Sequence, residues 1–304
     1  MSAPPPIVHH PAFRAEMPVG HRFPMDKFSR LAAVLEADRV VGPSGFVRPE
    51  PVDIETLRLA HSEAYVRGVI ELTLPMDVVR RIGMPNTESV AARARAATGG
   101  TLLAARLALE HGIACNTAGG SHHAAADSGA GFCVFNDVAV AARRLLAEGA
   151  IGKALVVDLD VHQGDGTARI FEDDPSVFTF SMHAEKNFPH RKAASDLDVE
   201  LPDGTDDGPY LAKLAEILPD LLSAVRPDIV FFNAGVDPHA DDKLGRLALT
   251  DEGLARREAY VLGACLSSDT PVVGVIGGGY DVDIDRLAAR HAILHRTAKS
   301  LCSL

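Results

Sequence analysis

Residues 154–166 read ALVVDLDVHQGDG, and this stretch decides both the fold and the position of the chemistry. Its first part, Ala154–Asp158, is a continuous apolar run that ends in a carboxylate, which is typical of a strand buried on both faces of a parallel sheet. Along an extended chain Asp158, Asp160 and His162 share one face. Ligands of open parallel sheets bind beyond the carboxyl ends of the strands. The stretch therefore predicts a buried strand that leads directly into a polar site.

The rest of the chain continues this pattern of alternating strands and helices. Further apolar runs that end in turn or polar residues predict strands at Ile113–Asn116, Val177–Ser181, Ile229–Asn233 and Val272–Ile276. Apolar residues at three- and four-residue spacing predict helices at Glu88–His111, Asp137–Glu148, Pro209–Val225, Asp251–Leu266 and Asp283–Thr297. This alternation indicates a single α/β domain over residues 1–304, with a central parallel β-sheet flanked by helices on both faces. Residues 183–206 are predicted to form a mobile loop near the mouth of the site.

Composition and charge narrow the possible functions. The chain has 304 residues and a net charge of −11, from 30 basic and 41 acidic residues, so it shows no basic surface of the kind that binds nucleic acid. An acidic field suits a cationic substrate such as a lysine side chain or a polyamine, although a mildly acidic surface also serves solubility alone. No apolar run reaches the ~18–20 residues of a membrane span, and the N-terminus has no signal-peptide pattern. The four cysteines show no CxxC spacing, so we expect a cytoplasmic protein with reduced thiols.

The polar end of the 154–166 stretch is typical of a metal site. A carboxylate and an imidazole at Asp160 and His162 form a natural half-site for zinc, and Asp158 could orient a histidine beside it. The Asp-x-Asp-x-x-x-Gly pattern is also found in calcium loops. A calcium loop needs a bidentate Glu at its twelfth position, which here is Arg169, so the zinc interpretation is favoured.

Three other polar clusters follow predicted strands. Residues 119–124 read GGSHHA, where the glycines allow a tight turn and both histidines can reach one cleft, although a lone His-His pair is also common by coincidence. Asp237 in NAGVDPH (233–239) is either a ligand or a turn-forming Asp before Pro. The GGGYD turn (277–281) lacks the spacing and the Lys-Ser/Thr of a phosphate loop and presents Tyr280 instead. Jointly, Asp160, His162 and Asp237 supply three zinc ligands and leave one position open for water or substrate.

In this order, the clusters resemble the zinc-dependent histone deacetylase family, which has the arginase–deacetylase fold. The resemblance runs roughly from His21 to Arg290 and rests on GGSHHA, GFCVFND (131–137), DLDVHQGDGT, NAGVDPHADDKLGRLALT and GGGYD. The HRFPMDKF segment, DVHQG in place of the commoner double-His form, and the compact length resemble the class IV branch and its bacterial relatives. The chain is thus identified as one histone-deacetylase-like catalytic domain.

The resemblance implies that Asp160, His162 and Asp237 bind one catalytic zinc ion. Arginase-like ureohydrolases share the fold but hold two manganese ions, which requires additional carboxylates. In this chain the residue two positions after His162 is Gly164, and the residue two positions after Asp237 is His239. We therefore expect a mononuclear site, with zinc and ferrous iron both open as the physiological metal.

The same resemblance implies the catalytic groups. His123 would be the general base and then the general acid, and His122 its electrostatic partner. Tyr280 would donate a hydrogen bond to the oxyanion. Asp158 matches a carboxylate that faces His122, and Asp165 matches one that faces His123.

Further residues are implied for the substrate tunnel and for a structural potassium ion beside the zinc. The tunnel residues are Gly131, Phe132 and Phe188. The potassium residues are Asp158, Asp160, His162, Ser181 and Met182, several of them through backbone carbonyls. Ser181 and Met182 also end a predicted strand, so a packing role stays open for both.

The implied function is a zinc-dependent amidohydrolase that removes acetyl or longer fatty acyl groups from the Nε of lysine, with an acyl-lysine peptide or protein as partner. The class IV resemblance favours long acyl chains. The alternative is an acetylpolyamine amidohydrolase, which usually carries a loop insertion for which 304 residues leave little room. A second alternative is a non-catalytic module that binds acylated ligands. Such a module would be expected to lack Tyr280 or the His pair, and both are present. Acyl length, native substrate and oligomeric state are open at this point.

Overall fold

The protein is built around one parallel sheet, seen here in a computed structural model that describes residues 4–302. The sheet has seven strands in the order β1-β2-β7-β6-β3-β4-β5, and every strand pair is parallel. The strands are β1 (Ile7–Val8), β2 (Ile113–Asn116), β3 (Ala154–Asp158), β4 (Val177–Ala184), β5 (Leu197–Leu201), β6 (Ile229–Asn233) and β7 (Val272–Val275). The predicted α/β class with a central parallel sheet is confirmed.

Ten α-helices lie in the described residues. They are α1 (Lys27–Ala37), α2 (Ile54–Leu57), α3 (Glu63–Ile70), α4 (Met76–Ile82), α5 (Glu88–His111), α6 (Asp137–Ala147), α7 (Asp165–Phe171), α8 (Asp207–Val225), α9 (Asp251–Ser267) and α10 (Ile284–Cys302). Helix α5 has the predicted bounds, because the Thr87 side chain accepts from the Val90 amide at its start and Gly112, with φ of 81°, ends it. Between residues 4 and 302, no helix has both the length and the apolar character needed to cross a membrane.

The core has one layer on each face of the sheet. Strand β3 contributes to both layers, because Ala154 and Val156 pack in one hydrophobic cluster and Leu155 and Val157 in the other. Helices α5 and α6 cover the first face, and α8 and α9 cover the second. This burial on both faces is the reason why the strand reads as a continuous apolar run.

The structure corrects several predicted bounds. The prediction of a loop over residues 183–206 is wrong in part, because β4 extends to Ala184 and Leu197–Leu201 forms the edge strand β5. That strand escaped prediction because it has one neighbour only and alternates apolar with charged residues. Helix α8 begins at Asp207 rather than Pro209, since the Asp206 side chain caps the Gly208 amide and proline is tolerated in a first turn.

Candidate active site

The predicted site residues come together because the strands that carry them are neighbours. Strands β2, β7, β6 and β3 are consecutive in the sheet, and each is followed by one of the four polar clusters. Asp158 and Asn233, the last residues of β3 and β6, are register partners. The loops beyond the carboxyl ends of these strands therefore meet at one edge of the sheet.

The side chains of Asp160, His162 and Asp237 form a compact group in which one ligand atom of each lies within 4.8 Å of the others. The His162 Nδ1 atom lies 3.0 Å from Asp160 Oδ1 and 3.1 Å from Asp237 Oδ2. All three residues are buried, and in the described part of the chain no other group of His, Cys, Asp and Glu has this geometry. His239 lies outside the group: its ring accepts from the Asp241 amide at 3.0 Å and lies 3.3 Å from an oxygen of Asp251.

The electrostatics of this group fit a bound cation. Burial, and after it the charge of Asp160, raise the pKa of the Asp237 carboxyl to about 7. Burial disfavours the His162 cation, yet hydrogen bonds and charges from Asp160 and Asp237 outweigh it and raise its pKa to about 10. A Cβ at Gly278 would lie 2.1 Å from Asp237 Oδ2, so glycine is what lets the turn approach these carboxylates. Two buried carboxylates and one imidazole are a donor set that suits zinc with an open position.

Two histidine–carboxylate pairs stand beside this group. His122 Nδ1 donates to Asp158 Oδ2 at 2.7 Å, and His123 Nδ1 donates to Asp165 Oδ1 at 2.8 Å. Burial opposes the charge on His122, but Asp158 and Asp160 outweigh it and raise its pKa to about 9. Burial and then the His122 charge lower the pKa of His123 to about 4, although Asp165 opposes them. These opposite shifts favour the charged form of His122 and the neutral form of His123.

Tyr280 closes the site from the turn after β7. Its ring lies 6.3 Å from the His162 ring, centroid to centroid, in an edge-on arrangement. Its backbone amide donates to Asp242 Oδ2 at 2.7 Å, and its carbonyl accepts from the Lys243 amide at 3.0 Å. Burial raises the pKa of Tyr280 well above its ordinary value, so the phenol stays protonated and can donate a hydrogen bond.

The predicted tunnel residues line an open cleft of about 330 Å³ that reaches His123, His162 and Tyr280. The Phe188 ring stands edge-on to the His123 ring at 4.8 Å between centroids. Phe132 has a positive φ of 67°, an uncommon backbone state for a residue other than glycine, and its ring lies 5.8 Å from that of Tyr280. Gly131 approaches His123 so closely that a Cβ there would lie 2.6 Å from the imidazole Cδ2.

Ser181 and Met182 lie on β4, the neighbour of strand β3, which leads into Asp160 and His162. Both are buried on β4, and Ser181 is the register partner of Asp158. The Ser181 hydroxyl shares a 2.9 Å hydrogen bond with His183 Nδ1. Ser181 therefore lies beside Asp158 in the sheet and also has a structural contact with His183.

Other residues contribute to the site without having been singled out from the sequence. The Asn233 amide donates to Asp158 Oδ1 at 2.9 Å, Asp242 holds the Tyr280 backbone, and Arg169 donates to Asp165 Oδ2 at 2.6 Å. The Asp165–Arg169 spacing of four residues on α7 is a signal that could have revealed that pair. The contact between Asp242 and Tyr280 spans 38 positions and has no such signal.

Behind the histidines lies a small inner cavity of about 30 Å³, lined by His122, His123 and Tyr280 among others. Lys27 also lines it, fully buried, and donates through Nζ to the carbonyl of Gly277 at 3.2 Å. Burial lowers the pKa of this ammonium to about 8. A cavity of this size has room for ordered water.

Together the sheet and its site define a parallel α/β protein with a buried Asp-His-Asp group that could bind a metal ion at the carboxyl edge of the sheet. Comparison with known proteins gives the family: the model of the histone deacetylase domain matches residues 21–295. The chain is 52% identical over 296 residues to an uncharacterised protein of Picosynechococcus sp., covering 97% of this chain and 99% of that protein. It is 31% identical over 269 residues to histone deacetylase 2 of Arabidopsis thaliana, covering 86% of this chain and 70% of that one. The chain belongs to the histone deacetylase family.

A solved structure supports the fold. The HDA15 HD domain superimposes with a TM-score of 0.80 at 23% identity and covers 97% of this chain and 88% of that one. Proteins named probable deacetylases from Methanothermobacter thermautotrophicus and Archaeoglobus fulgidus are each 30% identical to this chain, over 90% and 86% of its length. The family match and these relatives support a deacetylase, an enzyme that hydrolyses amides.

Proposed function

We propose that this chain is a zinc-dependent lysine deacylase. The observation that carries the proposal is the group of Asp160, His162 and Asp237, whose ligand atoms lie within 4.8 Å of one another, with the His123 ring 5.8 Å from that of His162. Zinc held by these three residues would polarise the acyl carbonyl and acidify the attacking water. The other steps belong to side chains of the protein.

His123 is the proton carrier. Its Nδ1–H is fixed on Asp165, so Nε2 carries the lone pair and can accept the proton of the attacking water. The protonated ring then delivers this proton to the leaving lysine amine. His122, paired with Asp158 and held as a cation, keeps the pKa of His123 low and adds positive charge near the developing oxyanion.

Tyr280 stabilises the oxyanion. Its protonated hydroxyl would donate to the carbonyl oxygen as negative charge develops there, and Asp242 holds the backbone from which it projects. Phe132 and Phe188 present apolar rings in the cleft for the methylene stem of an acyl-lysine, with Gly131 between Phe132 and His123.

Potassium and acyl length are part of the same proposal. Asp158, Asp160, His162, Ser181 and Met182 would hold a potassium ion, which predicts a higher thermal midpoint in KCl than in NaCl at equal ionic strength. The class IV resemblance predicts that long acyl chains are preferred. Much faster turnover of an acetyl-lysine peptide than of a decanoyl- or myristoyl-lysine peptide would contradict that preference.

The test is hydrolysis of one lysine peptide that carries acetyl, butyryl, octanoyl or myristoyl groups. Turnover by the wild type should vanish on chelation and return with zinc, and Tyr280→Phe should lower kcat about 100- to 1000-fold, the usual cost of losing one oxyanion donor. Tyr260→Phe is the matched control, because that hydroxyl only contacts the Ala215 carbonyl on the protein surface, and it should retain full activity.

The remaining outcomes separate the alternatives. Hydrolysis of acetylated polyamines without any peptide turnover would replace the lysine deacylase by an acetylpolyamine amidohydrolase. If neither substrate class is hydrolysed but acyl-lysine peptides bind measurably, the protein is a binding module. A zinc-induced rise in thermal midpoint that Asp237→Asn abolishes reports on the metal site independently of activity.

A further inference from the structure

The mouth of the cleft is positively charged although the protein is acidic. Thirteen residues line the cleft, and no Asp or Glu is among them. Four of the thirteen are Lys or Arg: Arg22, Arg81, Lys186 and Arg246. The whole chain has 41 acidic and only 30 basic residues, so the charge of this rim is opposite in sign to the net charge of the chain.

The rim cations are exposed and only partly neutralised. Within residues 4–302, Arg22 and Lys186 have no carboxylate partner, and the Arg22 guanidinium lies over the Phe132 ring at 5.0 Å. Arg81 lies 3.7 Å from Asp77, and Arg246 lies 3.1 Å from Asp203, in pairs whose arginine side chains are 51% and 54% exposed. Exposed pairs of this kind are weak, so both arginines remain available to an incoming anion.

These cations lie where the backbone of a substrate would lie. Arg22 rests on Phe132, and Lys186 lines the same cleft as Phe188. An acyl-lysine side chain that reaches His123 between these rings would leave its own backbone and its neighbouring residues at the mouth. The charge of those neighbouring residues therefore decides whether the rim attracts or repels the substrate.

We propose that the substrate is a polypeptide in which acidic residues flank the acyl-lysine. This inference rests on the deacylase function proposed above and names its substrate class. Acylation removes the lysine charge, so the reacting side chain needs no acid at the mouth, whereas a basic tail or a polyamine would meet four Lys and Arg side chains. The net charge of −11 suggested a cationic substrate, but charges farther than about 10 Å are largely screened, and the local rim outweighs them.

The first arm of the test varies only the flanks. Peptides with one acyl-lysine, and with Asp/Glu, Ser or Lys at the neighbouring positions, are compared by kcat/KM. The expected order is acidic, neutral, basic, with about tenfold or more between the extremes, mainly in KM, and the ratio should shrink as salt rises from about 50 to about 500 mM. Equal kcat/KM for the three peptides at low salt would overturn the inference while leaving the deacylase function intact.

The second arm assigns the preference to the rim. Arg22→Glu combined with Lys186→Glu should abolish or invert the acidic-to-basic ratio. Arg256→Glu, which reverses an exposed arginine on α9 outside the cleft, is the charge control and should preserve the ratio. An unchanged ratio in the rim variant would refute the assignment, with equal thermal midpoints showing that all variants are folded.

The third arm separates a polypeptide from a small anion. Free Nε-acyl-lysine carries its own carboxylate and could satisfy the rim without any flanking residue. Faster turnover of the free amino acid than of the acidic peptide would overturn the polypeptide assignment. Failure of every acylated substrate would instead refute the deacylase proposal itself.

Discussion

His122 and His123 are adjacent in sequence, equally buried at 6% exposure, and each donates from Nδ1 to one carboxylate, yet their pKa values move in opposite directions. His122 faces two carboxylates, since Asp160 lies 3.8 Å from its Nε2 atom in addition to Asp158. His123 faces Asp165, whose charge is shared with Arg169, and it also feels the positive charge of His122. The difference shows that a histidine–carboxylate pair does not define a role by itself.

The number of surrounding charges, and whether they are shared with other groups, sets the direction in which each histidine pKa moves. Enzymes that need an acid and a base at one pH obtain them by placing similar groups in different environments. In the proposed mechanism the His122–Asp158 pair would serve structure and electrostatics, and the His123–Asp165 pair would serve proton transfer.

The largest expected difference between the two histidines is in the activity of variants that lack one imidazole ring. His123→Gln should lower kcat about 1000-fold, since a positioned general base contributes about 100- to 10,000-fold. His122→Gln should cost about tenfold, because it removes a nearby charge rather than the proton acceptor. Equal losses in the two variants, measured by single-turnover hydrolysis of one acyl-lysine peptide, would contradict the division.

Substitutions of Asp158 and Asp165 should differ in how much they destabilise the protein. Asp158→Asn removes the buried partner of the His122 cation and should lower the free energy of unfolding by about 3 kcal/mol, as expected for breaking a buried pair. Asp165→Asn should cost less, about 2 kcal/mol, because the His123 ring is neutral and only one partner of the hydrogen bond is charged. Urea unfolding of the two variants in parallel measures both values, and a larger loss in Asp165→Asn would reverse the assignment.

The pH dependence of kcat/KM reports the pKa of the proposed base, His123. The base must be neutral, so activity falls as pH drops through the pKa of His123, which burial and the His122 charge lower from 6.5 to about 4. We expect the acidic limb below pH 6.5. It should move to higher pH in His122→Gln, where the repelling charge is gone, and to lower pH in Asp165→Asn, where the attracting charge is gone. Movement of both variants in one direction would show that another group controls the limb.

The smallest effect is expected at Arg169, whose side chain is 45% exposed and 2.6 Å from Asp165. Burial raises the pKa of Asp165, but the hydrogen bond from His123 and the charge of Arg169 outweigh it and lower that pKa. Arg169→Gln should change kcat by about two- to threefold, because an exposed ion pair is worth less than about 1 kcal/mol. Arg169→Lys keeps the charge and should restore most of the activity, and a loss above tenfold would place Arg169 in the proton-transfer step itself.

Burial explains which strands could be predicted from the sequence. Strands β2, β3, β6 and β7 were predictable because both of their faces are covered, which leaves a continuous apolar run in each. Strand β1 has two residues and β5 is a half-exposed edge strand, so neither leaves such a run. The short helices α2 and α7 were missed because four and seven residues are too few for a clear helical period.

By itself, the sequence determined the parallel α/β class and the residue types of the site, because both are recorded in local patterns: apolar runs, and polar clusters directly after them. Tertiary structure alone decided which groups meet. His122 and Asp158 are 36 positions apart, His123 and Asp165 are 42, and their opposite pKa shifts depend on neighbours in space. The basic rim joins Arg22 to Lys186 and Arg246 through the fold, so no window of sequence could contain it. Electrostatic energy depends on distance and burial, which only the folded chain defines.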